Sequence, residues 1–314
     1  MTPDTSPPPR LDSAESARRL ARAARNFAAY DKGSALAREV AQRMLERLDY
    51  VKLEPALVVD AGCAAGNALP GLAARFPDAR VVAVDRVISL AARAEHSARD
   101  VTPGPALIGT LPGWIRRLLP QSRVIAVAAD FGRLPLSAAS AGCIWSNLAL
   151  HWSNDPAAVF VEWHRVLETG GLAQFSLLGP DTLKELRGSW GLAGSRRVHP
   201  FIDMHDIGDM LVHAGFADPV MDMETITLTY RDLDDLFLDL RSVGASNTHP
   251  DRPRGLTGRK AWRDMRAAYE ALRREGTLPA TFEIVYGHAW KPLPRAGKDG
   301  IAVVRVEDIG RRRR

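Results

Sequence analysis

The sequence predicts an α/β fold: a doubly wound, mostly parallel sheet of seven strands with helical cap insertions. Short apolar segments alternate with segments of helical period between residues 56 and 178, a pattern typical of parallel strands connected by helices. A turn of small residues follows the first apolar segment. Polar residues follow four of the expected strands, and the carboxyl ends of such strands are where ligands bind.

The first strand is predicted over residues 56–60, an apolar run that ends in Asp60. The following turn contains Gly62 and Gly66, and apolar periodicity resumes at residues 69–76. Glycines let a ligand approach the backbone, and the free N–H groups at a helix start point toward it. The segment therefore predicts a nucleotide-type site.

A second strand is predicted over residues 81–85 and ends in Asp85, 25 residues after Asp60. A carboxylate at this position can accept hydrogen bonds from both hydroxyls of a ribose. A pyrophosphate would be repelled by Asp60, whereas a ligand that carries an amino group would be attracted to it.

The spacing D-x-G-x-x-x-G resembles motif I of the class I S-adenosylmethionine methyltransferases, with Ala64 where the middle glycine is usual. This resemblance implies S-adenosylmethionine as the cofactor. It also distinguishes the segment from the G-x-G-x-x-G pattern of dinucleotide-binding proteins.

The third and fourth strands are predicted over residues 124–129 and 141–146. Asp130 and Phe131 follow the third strand, and Asn147 follows the fourth. A carboxylate can accept from the exocyclic amine of adenine, and an aromatic ring can flank the base. We therefore expect Asp130, Phe131 and Asn147 at the cofactor site.

Two segments outside this alternation bear on the site. Residues 16–48 are predicted to form one or two helices, and Tyr30 between their periodic stretches is interpreted as a lid over the cofactor or as a core residue. Residues 101–121 carry four prolines and are interpreted as an insertion before the third strand.

The domain organisation follows from the second half of the chain. A fifth strand is predicted over 172–178, and two later strands complete the sheet, the last of them antiparallel. We predict a disordered tail over 1–15, a catalytic domain over 16–292 and a C-terminal tail over 293–314. Cap helices are expected around 181–216 and 233–279.

Composition limits the function classes. No apolar run approaches the ~18 residues of a membrane span, and no interleaving of aromatic and basic residues suggests a nucleic-acid surface. Cys63 and Cys143 fall in predicted core positions, which favours free thiols in a reducing compartment. We expect a cytoplasmic monomer without a metal site.

Several segments resemble the biotin-synthesis methyltransferases: WSNLALHW, RVLETGG, GPDTLKEL, HPFIDMHDIGDMLVHAGF and VGASNTH. The resemblance runs from about Phe27 to Trp290. It implies a Rossmann-like class I methyltransferase that methylates the free carboxyl of malonyl-acyl carrier protein, or of malonyl-coenzyme A. An acyl carrier protein carrying the malonyl thioester is the implied partner.

A second group is similar in the cap. GPDTLKELR, the pair Ser246–Asn247 and PATFEIVYGHAWKP look like a mitochondrial complex I assembly factor that keeps this fold but hydroxylates an arginine of a partner protein. The carboxyl methyltransferase is the preferred interpretation, because the composition is bacterial in character and no clear transit peptide is present.

A malonyl carboxylate is already an anionic nucleophile at neutral pH, so methyl transfer to it requires no general base and depends on positioning. The pocket should supply a cation for this carboxylate. Arg187 and Arg241 are the candidates for that role, each alternatively an exposed helix-face arginine. His151 is interpreted as a wall of the methyl site or as a core histidine.

Overall fold

The computed structural model describes residues 11–101 and 123–293 of the chain. Seven strands form one sheet in the order β3-β2-β1-β4-β5-β7-β6. The strands are Leu57–Ala61 (β1), Arg80–Asp85 (β2), Val124–Ala128 (β3), Ala141–Ser146 (β4), Leu167–Leu178 (β5), Ala217–Tyr230 (β6) and Leu278–Trp290 (β7). Strands β1 to β5 are parallel, and β7 is antiparallel to both β5 and β6. The predicted fold class is confirmed.

Helices cover the sheet and close its carboxyl edge. They are Ser13–Ala24 (α1), Phe27–Gly33 (α2), Ala35–Leu48 (α3), Leu69–Arg75 (α4), Ile88–Val101 (α5), Pro156–Val166 (α6), Lys184–Ser189 (α7), Gly194–Arg197 (α8), Met204–His213 (α9), Leu233–Ser242 (α10) and Arg259–Glu270 (α11). Residues 16–48, predicted to form one or two helices, belong to three helices.

Two hydrophobic layers hold the sheet between the helices. One layer packs α3, α4 and α5 against it and includes the buried side chains of Met44 and Leu72. The other packs α6 and α9, with Phe160 and Trp163 at its centre. Strand β4 is buried along its whole length, as expected of a central parallel strand covered on both faces.

Strand β6 is longer than expected, because only its end, residues 225–230, alternates clearly in the sequence. The strand extends to Ala217 by pairing antiparallel with β7. Its residues are half-buried or exposed throughout, since β6 is the edge strand. The polar residues before Thr225 are therefore compatible with a strand.

Residues 11–15, predicted as part of a disordered N-terminal tail, are ordered. Helix α1 begins at Ser13, and the Asp12 side chain caps it by accepting the Glu15 N–H at 3.0 Å. Leu11 is buried, and its N–H donates to Asn154 Oδ1 at 2.5 Å. Asn154 thus holds the chain before the helix. Residues 1–10, most of the predicted insertion at 102–121 and residues 294–314 lie outside the described residues.

The predicted cap segments differ in their packing. Helix α9, included in the first segment, packs on α6 and β6 as part of a sheet layer. Helices α7, α10 and α11 pack together at the other face. In the described part of the chain, no helix has the length and apolar character needed to cross a membrane.

Candidate functional site

A cavity of about 210 Å³ lies where β1, β2 and β4 end. It brings together the following residues that the sequence placed at the site: Tyr30, Gly62, Asp85, Phe131, Asn147 and His151. The other predicted site residues do not line it: Asp60, Gly66, Asp130, Arg187 and Arg241. The carboxyl ends of β1, β2 and β4 lie together at one edge of the sheet, as the sequence predicts for parallel strands.

The two predicted glycines of the turn after β1 have different structural roles. Gly62 has φ +85°, and an added Cβ would lie 2.3 Å from the Cβ of Ala149 at the cavity. Gly66 has φ +83°, but its added Cβ would lie 2.9 Å from the Cα of Ala94 in α5. Both backbones need glycine. Gly62 shapes the cavity wall, whereas Gly66 allows α5 to pack against the turn.

Asp85 is buried and ties the turn to β2. Its Oδ2 accepts the N–H of Ala64 at 3.0 Å, and its Oδ1 accepts the N–H of Val87 at 2.8 Å. Burial raises the pKa of the Asp85 carboxyl, while these two backbone hydrogen bonds oppose the rise. Each oxygen retains a second lone pair, so the carboxylate can still accept two ligand hydroxyls.

Asp60 lies beneath the turn with 2% of its surface exposed. Its Oδ2 has no hydrogen-bond partner among the described residues. Burial, and secondarily the charge of Asp85, raise the pKa of Asp60 to about 8. A cationic ligand group nearby would lower that pKa and restore the carboxylate. Asp60 Oδ2 is thus a buried oxygen to which no group of the described ranges donates.

Asn147 fixes the cavity wall. Its Nδ2 donates to the carbonyl of Ala37 at 2.8 Å, and its Oδ1 accepts from Ser176 Oγ at 2.9 Å. The next residue, Leu148, has φ +49°, and its N–H donates to the carbonyl of Ser176 at 3.1 Å. The Asn147 amide therefore connects β4, β5 and α3.

Tyr30 in α2 lines the cavity and belongs to a hydrophobic cluster with Ala65 of the turn, so the lid and core interpretations both stay predictions. The ring is buried, and burial together with the Asp85 charge raises its pKa. Leu20 of α1 also lines the cavity. Helix α1 is held there by a 2.9 Å hydrogen bond between the buried hydroxyls of Ser16 and Thr248.

Asp130 and Phe131 separate at the end of β3. Phe131 is buried and lines the cavity, whereas Asp130 is exposed and lines an adjoining hollow. Arg86, Phe131 and Trp152 line both spaces. Asp130 Oδ1 accepts the Gly132 N–H at 2.8 Å. Of the two predicted adenine contacts, Phe131 is therefore part of the wall between the two spaces, and Asp130 lines only the adjoining one.

His151 reaches the cavity from the turn after β4. Burial, and then the nearby His199, lower the pKa of His151 to about 3. The ring is therefore neutral at physiological pH. Its Nδ1 has no partner in the described part of the chain. His151 contacts the ring of Trp152, with centroids 5.3 Å apart.

Neither predicted anchor arginine reaches the cavity. Arg187 Nη2 donates to the carbonyls of Pro180 and Thr182 at 2.6 and 2.8 Å, so its guanidinium holds the loop after β5. Arg241 is exposed on α10, and its Nε donates to the Phe237 carbonyl one turn earlier. The proposed substrate contact of these arginines gains no support from their positions.

The structure adds residues that the sequence did not single out. Arg86 is the only cationic side chain on the cavity wall within the described ranges, and its Nη2 is buried without a partner there. Tyr230 and Asp239 line the far side. Burial and then Asp239 raise the pKa of Tyr230. In the sequence, the position of Arg86 directly after Asp85 could have indicated that Arg86 lies at the site.

The sequence of the chain is similar to a family of domains and to named proteins of other organisms. A family model described as a methyltransferase domain matches residues 59–175. The malonyl-[acyl-carrier protein] O-methyltransferase of Gallionella capsiferriformans is 48% identical over 88% of this chain and 91% of its own. The protein of the same name from Nitrosospira multiformis is 49% identical over 85% and 86%.

Solved structures agree on the fold. The YcgJ protein of Bacillus subtilis superposes with a TM-score of 0.51 and 14% identity, covering 82% of this chain and 99% of its own. A protein of Bacillus halodurans C-125 gives 0.51 and 16%, covering 79% and 97%. Since nearly half of its residues are identical to those of the two named enzymes over most of their length, the chain belongs to the malonyl-[acyl-carrier protein] O-methyltransferase family.

Proposed function

We propose that this protein methylates the free carboxyl of malonyl-acyl carrier protein, with S-adenosylmethionine as the methyl donor. The observation that carries the proposal is a cavity lined by the buried carboxyl group of Asp85, with that of Asp60 buried beneath the adjoining turn, in a chain of this family. The cavity wall combines a few polar groups with many apolar ones. The polar groups suit the charged cofactor, and the apolar groups suit the neutral malonyl methyl ester that is the product.

The residues present fit the cofactor. We assign Asp85 to its ribose hydroxyls, because both carboxylate oxygens retain acceptor capacity beyond the Ala64 and Val87 bonds. We assign the orphaned Oδ2 of Asp60 to its amino group, since a cation there would offset the burial of that carboxylate. Gly62 lines the cavity without a side chain, so a ligand can lie beside its backbone.

Bound S-adenosylmethionine supplies an electrophilic methyl group. The protein's part is to bind, orient and desolvate the acceptor carboxylate, which needs no general base. The cavity wall is well suited to exclude water, since it is dominated by aliphatic and aromatic side chains: Leu36, Leu148, Leu178, Leu228, Leu240 and Phe282. A carboxylate stripped of water is a stronger nucleophile.

His151 and the arginines fit this scheme in different ways. A neutral His151 can wall the acceptor site without adding charge. Arg86 is placed to attract a carboxylate at the cavity wall. The anchoring of the malonyl carboxylate by Arg187 or Arg241 stays a prediction, which their present hydrogen bonds do not support.

The experiment is an incubation of the purified protein with methyl-labelled S-adenosylmethionine and malonyl-acyl carrier protein. We expect label in the carrier fraction, released by mild alkali as expected of a methyl ester. Acetyl-carrier protein, which lacks the free carboxyl, is the matched control. Absence of label from malonyl-carrier protein, together with modification of an arginine of a partner protein, would favour the assembly-factor alternative.

A further inference from the structure

A strongly basic depression, distinct from the hollow that Asp130 lines, lies beside the cavity. Its wall consists of Asn247, Pro253 and five arginines: Arg19, Arg196, Arg197, Arg252 and Arg254. We call it the basic hollow. Its arginines come from α1, α8 and the loop between α10 and α11, which are far apart in the sequence. The charge is therefore assembled by the tertiary fold.

Few carboxylates neutralise the basic hollow. Arg19 pairs with Glu15 at 2.8 Å, and Arg252 lies 3.8 Å from Asp12. Asp251, the remaining acid of that loop, lies 4.0 Å from His249. The other three arginines have no carboxylate within ion-pair distance in the described part of the chain: Arg196, Arg197 and Arg254. The hollow thus carries an excess of positive charge.

The guanidinium of Arg197 is held in place before any ligand binds. It lies 4.5 Å over the ring of Trp190, and its Nη1 donates to Thr257 Oγ1 at 2.7 Å. Its Nε is buried without a hydrogen-bond partner among the described residues. A fixed arginine with an unused donor is suited to binding an anionic group.

The basic hollow adjoins the cavity along two segments. On α1, Arg19 lines the hollow while its neighbour Leu20 lines the cavity. In the loop after α10, Asn247 lines the hollow and Ala245, two residues earlier, lines the cavity. Adjacent Cα atoms are about 3.8 Å apart. A ligand seated in the hollow can therefore extend a flexible arm over this shared rim.

Apolar side chains accompany the charge. Leu192, four residues before Arg196, and Leu256, two residues after Arg254, are fully exposed. The Arg197–Thr257 hydrogen bond joins the two segments that carry them. Exposed leucines beside arginines are typical of a surface that binds a protein, since a free anion would make no use of the apolar groups.

We propose that the basic hollow and its two leucines are the docking surface for the acidic carrier protein, from which the malonyl arm enters the cavity. This inference rests on the proposed function. Charge complementarity selects the occupant: carrier proteins are acidic, and three arginines of the hollow have no carboxylate partner among the described residues. Electrostatic attraction of this kind raises the association rate of the two proteins.

The test compares two substrates in one charge-reversal variant. Arg196→Glu and Arg254→Glu are combined, and kcat/KM is measured with malonyl-carrier protein and with a small malonyl thioester that has no protein attached. We expect a loss of roughly tenfold or more with the carrier substrate, and at most about twofold with the small thioester. The control Arg80→Glu changes an exposed arginine at the amino end of β2, and should preserve both values.

The outcomes separate the two proposals. Equal kcat/KM losses for both substrates, or no loss for either, would overturn the docking surface while leaving methyl transfer by the wild-type protein intact. If the wild-type protein methylates neither substrate, the proposed function itself is wrong, and the docking surface that rests on it is overturned as well. A direct measurement of carrier-protein binding to the folded variant, checked by circular dichroism, guards against misfolding: unchanged affinity would also overturn the docking surface.

Discussion

The carboxyl groups of Asp60 and Asp85 lie near enough under one glycine turn that the charge of Asp85 helps to raise the pKa of Asp60 to about 8. Burial is the larger cause, since Asp60 is almost inaccessible to solvent. A cationic ligand group beside Asp60 would lower that pKa and restore the carboxylate. The following predictions concern this pair and the residues around it.

Asp60→Asn should stabilise the ligand-free protein, and more so at higher pH. An unfolded aspartate ionises near 3.8, whereas the native Asp60 keeps its proton up to about pH 8. The unfolded state therefore binds fewer protons in this window, and stability falls as pH rises. Asparagine removes that dependence. Denaturant unfolding should show the variant's advantage growing by roughly 2 kcal/mol or more between about pH 5 and pH 8. A constant difference would contradict the raised pKa.

Asp85→Ala should weaken binding of S-adenosylmethionine by about 2 kcal/mol or more, because a charged acceptor of two hydroxyls is lost. Isothermal titration calorimetry measures the change. Asp78→Ala is the matched control, since Asp78 is an exposed acid before β2 and outside the cavity. Equal affinities of the two variants would refute the role of Asp85.

Gly62→Ala should destabilise the protein by about 1–3 kcal/mol and reduce cofactor affinity, because its Cβ would meet Ala149 in a left-handed backbone conformation. Gly188→Ala provides the contrast. Gly188 lies in α7 with no heavy atom near an added Cβ, so alanine should stabilise the helix by up to about 1 kcal/mol. Chemical denaturation measures both, and a neutral Gly62 substitution would show that the turn adapts.

Arg187→Ala should lower stability by about 1–3 kcal/mol, since the Pro180 and Thr182 carbonyls lose a charged donor. Arg241→Ala should change stability by no more than about 0.5 kcal/mol, because its side chain is exposed. Thermal unfolding and the KM for the malonyl substrate should be measured together. A large KM increase with unchanged stability in either variant would restore that arginine as a substrate anchor.

The position of the cavity at the ends of the strands could be predicted because the signals for it are local. Asp60, Gly62 and Asp85 follow apolar runs, and a parallel sheet places the ends of its strands along one edge. The order of residues 11–15, which the sequence assigned to the tail, has a different origin. Leu11 is ordered by Asn154, a contact across 143 positions that periodicity does not reveal.

The residues that would contact the malonyl substrate could not be predicted in the same way. Helical spacing says which residues share a face but not which neighbour covers that face, so Arg187 and Arg241 looked as plausible as any other arginine. Arg86 faces the cavity because β2 ends beside it. The basic hollow combines three segments whose approach depends on the Ser16–Thr248 and Arg197–Thr257 hydrogen bonds.

The central claim is methyl transfer to the free carboxyl of a carrier-bound malonyl group, and intact-mass spectrometry of the carrier protein tests it most directly. After incubation with the wild-type protein and S-adenosylmethionine, malonyl-carrier protein should gain the mass of one methylene group, whereas acetyl-carrier protein should gain none. The Asp85→Ala variant should give much less product at limiting cofactor. An unchanged mass of malonyl-carrier protein, or an equal gain on the acetyl form, would contradict the account.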